Sequence, residues 1–293
     1  MSDQLDAIPP DAVVEQLSEH YGFFCRGGRL LDAGVSPYQR YEVWDTPAFG
    51  KLFRLDGAFM SSERDEFFYH ENLVRVPALS HPAPRRALVI GGGDGGSAKE
   101  LLKYPGIEQV VIVELDIKVV ELARRYLGAI HGGALDDART EIHVENGLEY
   151  VGRAVAEGAH FDLIVLDLTD PVGAAAALYD LPFLADCRSL LGDAGALSLH
   201  LGSPFFQAEQ VRLLITRLRA TFRRVHPYFL HIPLYGSLWG LACASQQLDP
   251  LKLSPHELDK SLRQRGIAGL RYYNGAIHHA QFALPNYLRT LLE

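Results

Sequence analysis

Cysteine is scarce: Cys25, Cys187 and Cys243 stand alone in a chain of 293 residues. An odd count without CxxC spacing excludes a disulfide framework and a cysteine-built zinc cluster. Positive charge is also in short supply, with 28 Lys and Arg against 36 Asp and Glu and a formal net charge of -8. Such a surface does not attract nucleic acid or anionic lipid, so neither is expected as a partner. No apolar run approaches the roughly 20 residues of a membrane-spanning helix, so no membrane association is expected. The opening MSDQLDAIPPDAVVEQ lacks the basic start and apolar stretch of a signal peptide. What remains is ordinary globular composition, 48% apolar and 22% charged. The expectation is a cytoplasmic protein of one large or two modest domains.

Along the chain, residues 10–21 read as a short amphipathic helix with Val13, Val14, Leu17 and Tyr21 on one face. Residues 28–62 alternate in short stretches broken by turns such as LDG, which predicts a small antiparallel sheet. ERDEFFYHENLVRVPAL (63–79) has helical spacing. From residue 87 the pattern changes. ALVI is a strand, GGGDGG a turn, SAKELLKY a helix, VVIVELD a strand, IKVVELARRYL a helix and FDLIVLD a strand. ALSLHL, YFLHIPL and LWGLACAS follow as later strands. Alternating strands and helices predict an α/β fold with a mostly parallel sheet covered on both faces. The expected division is a helix and small β-strand domain over 1–66, then an α/β domain over 67–293.

GGGDGG (91–96) fits GxGxxG through Gly91, Gly93 and Gly96, and it follows a strand and opens a helix. That context makes the pattern a nucleoside-binding, Rossmann-like turn. Glu114 ends the next strand about 20 residues on, where a carboxylate grips ribose hydroxyls. Asp94 sits inside the cradle. A pyrophosphate there would meet a second negative charge and be repelled by roughly 4 kcal/mol at about 4 Å in a medium of dielectric near 20. Either Asp94 caps the helix, a common task for aspartate, or it receives a nucleoside that carries positive charge.

DLTDP (167–171) favours the second alternative. It follows FDLIVL, so Asp167 and Asp170 lie at a strand's carboxyl end, as Asp94 and Glu114 do. Ligands of open α/β sheets bind there. Carboxylates gathered at one mouth repel unless cations neutralise them. A magnesium ion or an organic polyamine meets that need. The plain alternative for DLTDP is a turn ending at an Asp–Pro break.

Five segments together resemble the spermidine synthases, or polyamine aminopropyltransferases. They are ERDEFFYHE (63–71), HPAPRRALVIGGGDGG (81–96), VELD (113–116), FDLIVLDLTDPVG (161–173) and YYNGAIHHAQFALPNYL (272–288). The resemblance implies a methyltransferase-like Rossmann domain behind an N-terminal β-strand domain. It implies transfer of an aminopropyl group from decarboxylated S-adenosylmethionine to an amine, usually putrescine, without metal or redox cofactor. A homodimer or homotetramer is expected with it. By the same likeness Asp167 is the proton acceptor. Tyr69 orients the attacking nitrogen; His70, Asp170 and Tyr235 contact the polyamine. Asp94 holds the aminopropyl ammonium at the junction of both substrates. Gln39, Glu114, Asn146, Gly147 and Ala174 line the thioadenosine. Without the resemblance, YHE (69–71) reads as a packed helix face, and Trp239 as either pocket wall or core.

The chain departs from that family's pattern in several places. Asn146 stands where an aspartate is usual, Ala174 for a proline, and Met60 for a glutamine. Gly202 replaces a glutamate found in some members, and YGSLW (235–239) replaces a tyrosine–proline–serine–glycine stretch. The donor side is largely kept and the acceptor side altered, which leaves cadaverine, agmatine or spermidine open beside putrescine. The competing readings are an S-adenosylmethionine-dependent methyltransferase, whose donor carboxylate Asp94 would repel, and a non-catalytic polyamine or nucleoside binder.

Overall fold

The computed structural model describes residues 8, 9, 11–171 and 173–293; the side chain of Ala174 also lies outside the described part. The chain opens with a hairpin, β1 (Val13–Ser18) and β2 (Tyr21–Cys25), paired antiparallel. This corrects the helix expected over 10–21. Four apolar residues in so short a stretch fit a strand as well as a helix, and Val13-Val14 is a β-branched pair. The tertiary partner settles it: Val13 and Cys25 bury against Leu52, Phe59 and Leu234.

The small sheet expected over 28–62 is present. It consists of β3 (Arg29–Val35), β4 (Arg40–Thr46), β5 (Gly50–Leu55) and β6 (Ala58–Ser62), all antiparallel. Helix α1 (Glu66–Ser80) follows, and almost every residue of it is buried, polar ones included. Next come β7 (Arg86–Gly91), α2 (Gly96–Leu102), β8 (Gln109–Glu114), α3 (Ile117–Tyr126) and the single turn α4 (Gly128–His131). After them come β9 (Thr140–Val144), α5 (Gly147–Ala156) and β10 (Leu163–Asp167). A 3-10 segment, Gly173–Tyr179, leads to α6 (Leu181–Leu191), β11 (Ala196–Gly202) and α7 (Ala208–Thr221). The chain closes with β12 (Arg224–Ile232), β13 (Ser237–Ser245), α8 (Pro255–Gln264), α9 (Gly275–Ala280) and α10 (Asn286–Leu292).

The seven-stranded sheet has the order β12-β13-β11-β10-β7-β8-β9. The five strands from β11 to β9 are parallel, and β13 pairs antiparallel with both β11 and β12 at one edge. Strand period explains the two cores. Ala87 and Val89 of β7, with Leu163 and Val165 of β10, face one apolar cluster; Leu88, Ile90, Ile164 and Leu166 face the other. Both faces are covered, so ALVI and LIVL read as unbroken apolar runs. Edge strand β9, TEIHV, lacks that signal, being half-exposed and charged, and pattern reading passes over it.

The C-terminal YYN is tied to α1. The buried carboxylate of Glu71 accepts the backbone N–H groups of Arg271, Tyr272 and Tyr273, at 2.7 to 3.0 Å. His278 is buried, bonded to Tyr273 and to the carbonyl of Pro250. Burial pushes its ring down to about 4, so it stays neutral. That segment docks the tail and takes no part in the site.

Candidate active site

From β7 the parallel strands proceed to β8 and β9 on one side, while β10 and β11 lie on the other. Ligands of open α/β sheets bind at this reversal, outside the carboxyl ends. Gly91 at the end of β7 is in register with Asp167 at the end of β10, and Gly92 donates its N–H to the Asp167 carbonyl at 2.8 Å. The glycine turn and DLTDP are thus held together by the sheet.

His70 reaches this mouth from α1. Its Nε2 lies 3.8 Å from Asp94 and 3.9 Å from Asp167, while its Nδ1 is 3.0 Å from Glu66. The approach depends on Gly96, because a Cβ at 96 would fall 2.2 Å from the imidazole. Burial would lower the ring's pKa, but Asp94, Glu66 and Asp167 together push it up to about 9. The ring is therefore cationic at neutral pH. His70, Asp94 and Asp167 have donor atoms within 4.8 Å of one another, spacing that suits a metal ion. A protonated His70 places its own positive charge between the two carboxylates. Lys99 adds charge behind it, 2.6 Å from Glu66.

Asp167 accepts from Ser97 at 2.7 Å. Burial raises its pKa, against the pull of His70 and with a further push from Asp94. Tyr69 is buried alongside, its phenol held far above the usual range by burial and by the charge of Asp167. The carboxylate is a better proton acceptor than an exposed aspartate, beside a phenol that stays protonated.

Asp94 stands one residue before the N-cap of α2, Gly95, yet it does a cap's work: its Oδ1 accepts from Gly96 N–H, the first of the helix, at 3.0 Å. The same oxygen faces His70, so capping and a place in the charged cluster coexist. Glu114 accepts from Gly93 N–H at 3.2 Å and from Asp116 N–H at 3.0 Å. Burial raises it to about 7, opposed by those two N–H groups. Gln39 comes from the β3–β4 turn and donates to Asp116 at 3.1 Å, beside Ser36 at 2.6 Å. Asp116 also caps α3. Asn146 caps α5 by accepting from Leu148 N–H at 2.9 Å, and Gly147 is buried against Ile90. The side chain of Ala174 lies outside the described residues.

Across the mouth, Asp170 accepts from Gln207 at 2.7 Å. Tyr235 packs on Tyr69 and Trp239, with ring centroids at 6.2 and 4.6 Å, and donates to the Met60 carbonyl at 2.8 Å. That bond is to backbone, so methionine in place of glutamine leaves it intact. Trp239 is 8% exposed and belongs to the apolar core.

Sequence reasoning missed Ser97, Asp116, Tyr179, His200 and Glu15. Ser97 directly follows the glycine turn, a signal that was there to find. Tyr179 bonds the Thr169 carbonyl and His200, and no spacing announces that. Glu15 arrives on β1, the segment misread as helix. Burial raises its carboxyl to about 7, against Phe59 N–H and Arg54, with Asp170 adding to the rise.

A Rossmann-like sheet of the methyltransferase type, with an acidic mouth at its switch point, defines the class. Comparison with known proteins narrows it. Residues 66–252 match the model of the spermine/spermidine synthase domain. The chain is 47% identical over 287 residues to a polyamine aminopropyltransferase of Nitrosomonas europaea, covering 98% of this chain and 87% of that one. A polyamine aminopropyltransferase of Moorella thermoacetica is 40% identical, covering 92% and 91%. A crystal structure of spermidine synthase in complex with the transition-state analogue AdoDATO superposes with a TM-score of 0.90 at 34% identity, covering 99% of this chain and 97% of that one. Spermidine synthase from Thermotoga maritima gives 0.88 at 35% identity, covering 96% and 94%. The chain belongs to the spermine/spermidine synthase family, and it is an enzyme of the aminopropyltransferase kind. Among the described residues no helix is long and apolar enough to cross a membrane.

Proposed function

We propose that the enzyme moves the aminopropyl group of decarboxylated S-adenosylmethionine to a diamine, putrescine foremost, giving spermidine and 5′-methylthioadenosine. One observation carries this reading: Asp94 and Asp167 meet at the switch point beside buried Tyr69 with His70 between them, and a third carboxylate, Asp170, stands nearby against His200. Donor sulfonium, donor ammonium and acceptor ammonium are all positive and suit that mouth. A methyl donor that keeps its carboxylate does not.

In the step proposed, the neutral acceptor nitrogen attacks the methylene carbon beside sulfur. A C–N bond forms, the C–S bond breaks, and its electron pair stays on sulfur as a thioether. The displaced proton passes to Asp167, whose raised pKa suits it as acceptor. Tyr69 orients the lone pair. Asp94 holds the donor ammonium, Glu114 the ribose hydroxyls, and Gln39, Asn146, Gly147 and Ala174 flank the nucleoside. Asp170, Tyr235 and buried Glu15 serve the acceptor's remote end. The reading assigns no metal or redox cofactor, a cytoplasmic setting and a dimer or tetramer.

The test incubates the protein with decarboxylated donor and putrescine, cadaverine, agmatine or spermidine, with mass spectrometry of products. Aminopropyl adducts, most on putrescine, are expected. Methyl adducts from intact S-adenosylmethionine, or donor retention without product, would replace the reading with a methyltransferase or a binder.

A further inference from the structure

Around Asp170, which the proposed function sets at the acceptor's remote end, lie polar atoms that the fold leaves unanswered. His200 on β11 is 3% exposed, and its Nδ1 has no hydrogen-bond partner among the described residues. Asp170 Oδ1, 3.9 Å away, is likewise buried without a partner among them. Buried polar groups of this kind are seldom left unpaired.

Hydrogen bonding fixes which atom of His200 carries the proton. Tyr179 has a single hydroxyl hydrogen and lies 2.9 Å from the Thr169 carbonyl and 2.8 Å from His200 Nε2. The carbonyl can only accept, so the tyrosine donates to it and its oxygen accepts from Nε2–H. The opposite tautomer would strand the carbonyl and leave an Nδ1–H too far from Asp170 to bond it. In the neutral ring Nδ1 therefore presents a lone pair, and so does Asp170 Oδ1. Two acceptors 3.9 Å apart call for a donor between them, and one nitrogen reaches both at ordinary hydrogen-bond length.

The surroundings show why histidine is used. Gly202 has φ +94, and a Cβ there would fall 2.4 Å from Gln207 Oε1. Gln207 fills the space a longer side chain at 202 would take. It accepts from Ser203 N–H and donates to the other Asp170 oxygen. That fixes Asp170 with Oδ1 turned toward His200. Trp239 lies parallel to the imidazole within 15° and holds its plane.

We infer that His200 and Asp170 together clamp the ammonium at the remote end of the acceptor, making His200 a specificity-determining residue for diamines. This rests on the aminopropyl-transfer reading above. The clamp pairs a neutral acceptor with one carboxylate, where a glutamate at 202 would have given two negative charges. It selects for a second amine on the acceptor and adds nothing for a monoamine.

The test compares putrescine with butylamine, which has the same carbon chain and no second amine, in wild type, His200→Leu and His200→Gln. Wild type is expected to prefer putrescine in kcat/KM. His200→Leu should shrink that preference about 10- to 100-fold, the range for losing a hydrogen bond to a charged group, with donor KM within about twofold. His200→Gln keeps an acceptor and should keep most of the preference. Equal loss on both amines, or an unchanged preference in His200→Leu, overturns the inference. A crystal of wild type with methylthioadenosine and putrescine gives a second measurement that needs no variant to fold. A nitrogen within about 3.2 Å of both Nδ1 and Oδ1 supports the clamp, and one bonded to Asp170 alone refutes it. Wild type inactive on every amine would instead remove the functional reading itself.

Discussion

The two ends of the active-site mouth are finished differently. At the proposed donor end, Glu114 is bound by two backbone N–H groups, Asp94 by Gly96, Asp116 by Ser36, Gln39 and its own helix, and Asn146 by Leu148. Every one of these groups has a protein partner. At the proposed acceptor end, Asp170 and His200 each have one protein partner, Gln207 and Tyr179, but Asp170 Oδ1, His200 Nδ1 and Trp239 Nε1 are buried without one among the described residues. A preorganised donor cradle costs little to fill because its side chains are already placed. An end with unanswered acceptors discriminates instead, since an acceptor substrate lacking the matching amine leaves them stranded. On the proposed function, donor recognition is built into turns, and acceptor choice into side chains that only a substrate completes.

The largest expected effect lies where the two ends meet. Asp167→Asn should lower turnover by about 10²- to 10⁴-fold, the usual worth of a general base, while methylthioadenosine retention in equilibrium dialysis stays near wild type. Near-normal turnover would remove Asp167 as proton acceptor. The ends are then told apart by a pair of variants. Asp170→Asn should raise acceptor KM about 10- to 100-fold through a weakened charged hydrogen bond and spare donor KM. Glu114→Gln should do the reverse, and it should also cost about 1–3 kcal/mol in denaturant unfolding because a buried N–H loses its acceptor. If both variants shift both KM values alike, the contrast between the ends is wrong.

A smaller effect tests what holds them together. Gly96→Ala should lower stability by about 1–3 kcal/mol, the ordinary cost of overpacking, since the new methyl group meets the His70 ring. An unchanged melting curve would show that His70 gives way freely. A further effect is a pH dependence. A ring raised to about 9 contributes fully below its unfolded value near 6.5 and loses that contribution as pH rises through about 9. The melting-temperature gap between wild type and His70→Gln should therefore be widest near pH 6.5 and close toward pH 10. A constant gap across that range contradicts a charged His70.

How much was legible in advance differs by element. GGGDGG after ALVI and DLTDP after FDLIVL announced themselves, because close-packed parallel strands demand unbroken apolar runs and a sharp turn demands glycine. Val13 to Tyr21 misled, because a five- or six-residue strand holds too few periods to separate 2.0 from 3.6. β9 escaped because an edge strand needs little apolar pattern. At the site, Asp94 was ambiguous between cap and ligand group, and the fold shows that these were never exclusive alternatives. Glu15, Tyr179 and His200 carried no local signal at all.

The order of residues alone determined the parallel sheet, the turn at its switch point and the collection of carboxylates at strand ends, since backbone sterics and apolar periodicity act over a few neighbouring residues. Only the tertiary structure decided that His70 would sit charged between Asp94 and Asp167, and that His200 would face Asp170 across 3.9 Å. Those relations join segments 24 to 97 residues apart. They depend on which groups burial strips of water together, which no local pattern records.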